Sequence, residues 1–150
     1  RSTLMLIQGP LRLWRPKGSW KPRIENGCLQ HGQPPTLARL DQWLRAGIRV
    51  PTRPNWAFVK LHTHGATEAN QRVLLGDAMT RFHQSLAQRA ADDPGFHFHY
   101  VTAREMYNLA RAAEEGWTGS IIGALNFQVS APQPGQAEKR KMCRARAAQA

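Results

Sequence analysis

Apolar and polar positions along this chain change period several times, and each change marks an element. Leu4-Met-Leu-Ile7 is a short continuous apolar run closed by Gly9-Pro10, the form of a buried strand. Thr36, a natural N-cap, precedes apolar residues at Leu37, Leu40, Trp43, Leu44 and Ile48, which is helical spacing. Pro51 and Pro54 break the chain before Trp56-Ala-Phe-Val-Lys-Leu-His62, a second strand, which Thr63, His64 and Gly65 follow. Residues 67–91 carry Leu74, Leu75, Ala78, Met79, Phe82 and Leu86 at helical spacing and predict one long amphipathic helix. Asp92-Asp-Pro-Gly95 reads as a structural turn, and Phe96-His-Phe-His-Tyr-Val101 alternates as a strand does. Thr102-Ala-Arg-Glu105 has the form of a capping box. The helix after it shows an apolar face of Met106, Leu109, Ala110 and Ala113 and stops at Gly116.

The order strand, helix, strand, helix over 56–115 predicts an α/β fold. Its parallel strands near 3–8, 56–62 and 96–101 are joined by right-handed crossovers and flanked by helices. Residues 9–35 read as a long loop, rich in proline and glycine, that holds Trp14 and Trp20. Loops of that length are functional or disordered, and two tryptophans argue against plain disorder. Beyond Gly116 the pattern weakens, with Ile121, Ile122 and Leu125 left to pack on the surface. The expected organisation is one domain over 1–130 and a basic, disordered tail over 131–150.

Composition narrows the class. The 150 residues, 41% hydrophobic, suffice for one domain with a core. No apolar run approaches the roughly 18 residues of a membrane span, and no signal peptide is visible. The chain begins at Arg1 without a methionine and is taken as a piece of a longer protein, so the compartment stays open. A cytoplasmic location is marginally favoured over a secreted or envelope-associated one. The net charge of +11 suggests nucleic acid, but the excess sits at the ends. Residues 1–23 and 139–150 hold six and five Lys/Arg and no acid, while the stretch between them is balanced. A nucleic-acid-binding domain spreads its basic residues over a face of the fold, so no specific nucleic-acid partner is expected. Cys28 and Cys143 belong to no CxxC or His/Cys pattern and read as free thiols.

The candidate chemistry lies at the histidines. Strand faces alternate, so His62 and His64 point the same way, at the end of a strand where ligands gather in α/β proteins. His-x-His is a zinc-binding spacing, and histidine also serves as a general acid or base. A structural role for the pair stays equally open. His97 and His99 repeat the spacing at the start of the next strand, which places them at the opposite end of a parallel sheet. They read as structural, alternating with a buried Phe96, Phe98 and Tyr100. Lys60 shares the face of Phe58 and His62, which suggests a charged cavity in which a carboxylate pairs with it, either Glu25, the nearest candidate in this chain, or an acid from the rest of a longer protein.

Val59-Lys-Leu-His62 with Gly65, the helix after it, and Phe98-His-Tyr-Val-Thr102 leading into Ala103-Arg-Glu105 resemble the C-terminal end of the polysaccharide deacetylase fold. That group, carbohydrate esterase family 4, is an irregular (β/α) barrel, and the likeness spans about residues 56–115. It implies the C-terminal part of such a barrel, and a carbohydrate-active hydrolase that removes N- or O-acetyl groups from a sugar polymer. The alternative is a non-catalytic, degenerate barrel that binds carbohydrate or a protein partner. By the same resemblance His62 is the catalytic general acid on the leaving group and Leu61 or Val59 lines the acetate pocket. Thr63 stands where the family has Asp or Ser. The substrate-binding candidates are Leu61, His64, Trp14, Trp20, Arg23 and Glu25, the tryptophans offering flat faces to a pyranose ring and the charged pair its hydroxyl contacts. The family's Asp-Asp base and His-x-x-x-His metal motifs have no counterpart here, so a divalent metal such as zinc is expected only in a longer parent and none is assigned to this chain. The oligomeric state is left open. A partial barrel has open strand edges, and the chain alone is expected to be marginal or aggregation-prone.

Overall fold

The computed structural model describes residues 5–65 and 67–128, and the basic tail and Cys143 lie outside them. The first regular structure falls inside the expected long loop. Strands β1 (Arg12–Trp14) and β2 (Arg23–Glu25) pair antiparallel, with Leu13 opposite Ile24. Helix α1 (Leu37–Arg45) starts at Thr36, whose hydroxyl accepts from the Arg39 amide, as its N-cap character predicts. Two helices follow, α2 (Glu68–Leu74) and α3 (Asp77–Asp92), then α4 (Ala103–Glu114) and a single turn, α5 (Ile121–Ala124). Among the described residues the chain is thus a mixture of helices and one small sheet.

The parallel-stranded barrel does not form among the described residues. Segments 56–62 and 96–101 run without helix or ladder, and the one parallel contact is an isolated bridge between Cys28 and His62. Residues 5–8, the described part of the expected first strand, are likewise unpaired in any ladder. Alternation had read the side-chain pattern of these segments, but a ladder needs a neighbour at the right distance, which alternation cannot supply.

Packing explains why segment 56–62 still alternates. Val59 and Leu61 lie against a first core of Leu29, Leu40, Trp43, Phe82 and Leu86. Trp56 and Phe58 turn the other way, into a second core with Leu109, Ala110, Ala112 and Ala124. The segment is therefore sandwiched between two clusters, apolar toward both. Phe96 and Phe98 join the first core and Val101 the second, whereas Tyr100 is exposed rather than buried.

The expected long helix over 67–91 is two helices. Gly76 breaks it: a β-carbon there would sit 2.3 Å from the Arg72 carbonyl oxygen, and the glycine instead starts α3 in an extended conformation. The break leaves Leu75 exposed, while Phe82 and Leu86 are buried as the pattern predicts. The end of α4 follows its sequence signals closely. The Thr102 hydroxyl and Glu105 carboxylate cap each other's backbone amides. At the other end Gly116, at φ +74°, lets its own amide reach the Ala113 carbonyl and that of Trp117 the Ala112 carbonyl.

A buried ion pair joins the sheet to α1. Glu25 is 4% exposed and Arg39 8%. Arg39 Nε and Nη2 donate to the two Glu25 oxygens at 2.7 and 2.8 Å, and its remaining N–H groups reach the carbonyls of Cys28, Gln33 and Pro34. The Trp43 indole and the Gly27 amide also donate to Glu25, at 2.8 and 2.9 Å. Burial pushes the Glu25 carboxyl up, but these hydrogen bonds and the guanidinium charge outweigh it and hold it below its ordinary value of 4.5.

Glu25→Ala, which strands a buried guanidinium, should lower unfolding stability by about 3–5 kcal/mol, read as a shift of the urea midpoint near pH 7. Because the folded carboxyl titrates below the unfolded one, its contribution is complete above pH 4.5 and lost as pH falls through the folded value. The wild-type chain should lose stability on acidification below pH 4.5, and a Glu25→Gln chain should lack that part of the acid limb.

Candidate functional site

Cys28, His62 and His64 come together where segment 56–62 leaves the core. Hydrogen bonds on both sides fix His62: its amide donates to the Gly27 carbonyl at 3.1 Å, and its carbonyl accepts from the Leu29 amide at 2.7 Å. Gly27 makes the approach possible. Its φ of +75° suits glycine, and a β-carbon there would meet Pro10 at 3.0 Å and the Lys60 carbonyl at 3.2 Å. Between these contacts sits Cys28, 3% exposed. The thiol and the two imidazoles each offer a ligand atom, and these atoms all lie within 4.8 Å of one another. The His62 and His64 rings meet edge to face, centroids 5.0 Å apart. His62 is half-buried and His64 exposed, so the cluster has a dry side and a wet side.

Asn70 holds the wet side in place. Buried in the first turn of α2, it donates from Nδ2 to the carbonyls of His64 and Gly65, at 2.9 and 3.3 Å, and accepts from the His31 amide at 2.8 Å. One side chain thus ties the loop after Cys28 to the loop that carries His64.

Sequence reading had placed Cys28 apart from any histidine cluster, and this is corrected. Cys28 is distant in sequence from the His62 and His64 pair, and the parallel bridge to His62 brings it beside them. Asn70 was missed as well, since a polar residue in the first turn of a helix carries no signal of its long-range contacts.

The other site candidates scatter. Glu25 is committed to Arg39, Trp43 and Gly27, so it neither reaches a sugar hydroxyl nor pairs with Lys60. Lys60 is exposed, and its amine donates to the Ile7 carbonyl at 3.1 Å. The face it shares with Phe58 and His62 is therefore no charged cavity: it leaves the second core at Lys60 and meets Cys28 at His62. Leu61 is half-buried and packs against the first core. Trp14 is half-buried, and Trp20 and Arg23 are exposed. An open cleft of about 390 Å³ lies elsewhere, lined by Ile7, Ile48, Val50, Phe58 and Glu114, and includes neither His62 nor His64. His97 and His99 are exposed and stand outside the Cys28 cluster, and His83 instead pairs with the Tyr100 hydroxyl at 2.5 Å.

No helix among the described residues is long and apolar enough to cross a membrane. No protein-family model, curated protein or solved structure matches the chain. The sequence holds no His-x-x-x-His, so the metal motif of the polysaccharide deacetylases has no counterpart in it.

Removing the Asn70 side chain should cost about 1–2 kcal/mol, the scale of a lost hydrogen bond or two, with a specific local signature. In Asn70→Ala, amide exchange at His31 should rise more than at Leu29, whose amide bonds to His62 independently. Equal protection at both amides before and after the change would show that Asn70 does not hold the loops.

Proposed function

We propose that the chain contributes to a hydrolase that removes acetyl or related acyl groups from a substituted carbohydrate, with the chemistry centred on His62. The observation that carries this reading is the placement of His62. It is locked by backbone bonds on both sides, half-buried, beside a second imidazole and a thiol, at the point where an extended segment opens to solvent. Reacting groups need positioning to within about half an ångström, and a residue held at both its amide and its carbonyl meets that demand better than a loop residue. The carbohydrate comes from the resemblance to polysaccharide deacetylases, and exposed Trp20 and half-buried Trp14 are side chains that could stack on a sugar ring. Segments 5–8, 56–62 and 96–101, which form neither helix nor ladder, are compatible with strands of a larger barrel, which would supply the base that activates water.

Two chemistries are open to His62. The resemblance implies proton donation to the leaving amine or alcohol, which makes that group neutral as the C–N or C–O bond breaks. The neighbouring Cys28 favours ligation of an ion instead. A non-catalytic, degenerate barrel that binds carbohydrate or a protein partner is the second reading, and exposed Trp20 could serve it without any reacting group.

The deciding experiment follows acetate release from N- and O-acetylated oligosaccharides by the longest protein that contains this sequence. His62→Ala should cut kcat by roughly 10²–10⁴-fold, and His64→Ala by much less if His62 donates a proton. Comparable losses at the two positions would assign both to an ion. Oligosaccharide binding without acetate release, unchanged in His62→Ala, would favour the non-catalytic reading.

A further inference from the structure

We infer that Cys28, His62 and His64 form a binding site for a borderline-soft divalent transition metal, zinc in the first place, with a fourth position open to solvent. The inference concerns the ion alone and does not rest on the carbohydrate reading.

Ligand chemistry comes first. A thiolate with two imidazoles suits zinc, cobalt and copper, whereas magnesium and calcium need oxygen donors, which the cluster lacks. Geometry comes next. Bonds of about 2.3 Å to sulfur and 2.0–2.1 Å to nitrogen place tetrahedral ligand atoms about 3.3–3.6 Å apart. The three atoms here already lie within 4.8 Å of one another, so side-chain rotations of about 1 Å close the set.

Preorganisation is the third argument. Cys28 and His62 are opposite partners of the parallel bridge, so the separation of their α-carbons is set by backbone hydrogen bonds. Asn70 then fixes the third ligand's segment through the carbonyls of His64 and Gly65 while holding the His31 amide. A side chain that orients the chain behind a ligand is the usual outer support of a metal centre. Finally, burial is graded across the set. Cys28 is buried, His62 half-buried and His64 exposed, so the vacant coordination position faces water. Three protein ligands and one open position is the arrangement of catalytic rather than structural zinc. On binding, the ion forms the metal–sulfur bond as the thiol proton passes to solvent, and each imidazole ligates in its neutral form. Ligation occupies a ring nitrogen of His62, and in the metal-loaded protein the proton donor is then a group other than His62.

The test uses the reduced 150-residue chain carrying Cys143→Ser, so that Cys28 is the one thiol, titrated with Co²⁺ and then competed with Zn²⁺. The expected result is one ion per chain, a thiolate-to-cobalt charge-transfer band, tetrahedral visible bands, displacement of both by zinc, and proton release on binding. Asn70→Ala should weaken zinc binding about 10–100-fold, and Cys28→Ser, His62→Ala and His64→Ala by more than that. A His97→Ala/His99→Ala chain should bind as the parent does, and circular dichroism of each apo variant checks that it is folded. The proposal is overturned if no stoichiometric binding occurs at micromolar metal. A charge-transfer band that survives Cys28→Ser, or binding that follows His97 and His99 instead, would overturn it equally. Because the readout is spectroscopic, a failure to release acetate leaves it untouched, and a failure to bind metal leaves the hydrolase reading with His62 as proton donor.

Discussion

The contact between Glu25 and Arg39 holds the first half of the molecule in register. Two buried charges are costly unless every lone pair and N–H group is answered, and here they are answered from four parts of the chain. The end of β2 supplies the carboxylate and α1 supplies the guanidinium and the Trp43 indole. The turn after β2 supplies the Gly27 amide and the Cys28 carbonyl, and the approach to α1 supplies the carbonyls of Gln33 and Pro34. An irregular, proline-rich stretch that would otherwise have many conformations is thereby given one. Its result is the path of residues 26–29, which lays Gly27 and Cys28 against His62.

Beyond that junction, α1 leans on α3 through Arg89, which pairs with Asp41 at 2.8 Å and lies over the Phe96 ring. Segment 56–62 then separates two apolar clusters rather than lining one. This arrangement explains why its odd and even positions are both apolar until Lys60, and why the polar residues cluster at its exit. Polarity begins where both cores end.

Local features were legible in the sequence and nonlocal ones were not. Thr36, Thr102 with Glu105, and Gly116 act as their residue types require, because a cap depends only on the next few residues. The helical face of Phe82 and Leu86 was equally readable. The break at Gly76 was not, because six apolar positions kept helical spacing across it. The strands failed for a further reason: alternation reports which way side chains point, not whether a neighbouring backbone lies alongside. The same limit governs the site. The spacing of His62 and His64 singled them out, but their partner Cys28 sits in a stretch that reads as loop, and the Glu25 that reads as a sugar contact is an anchor of the fold. Charged residues in loops look alike in sequence whether they face a ligand or a buried arginine.

The bridge between Cys28 and His62 also says when the cluster exists. It closes a chain loop that contains all of α1, and the entropy lost on closing such a loop must be recovered by contacts formed elsewhere. An unfolded chain therefore presents His62 and His64 as a flexible pair with no thiol beside them, and the third donor arrives only once both α1 and segment 56–62 have docked. The grouping of these three side chains is therefore a product of the folded chain, and it is lost when the Gly27 approach opens.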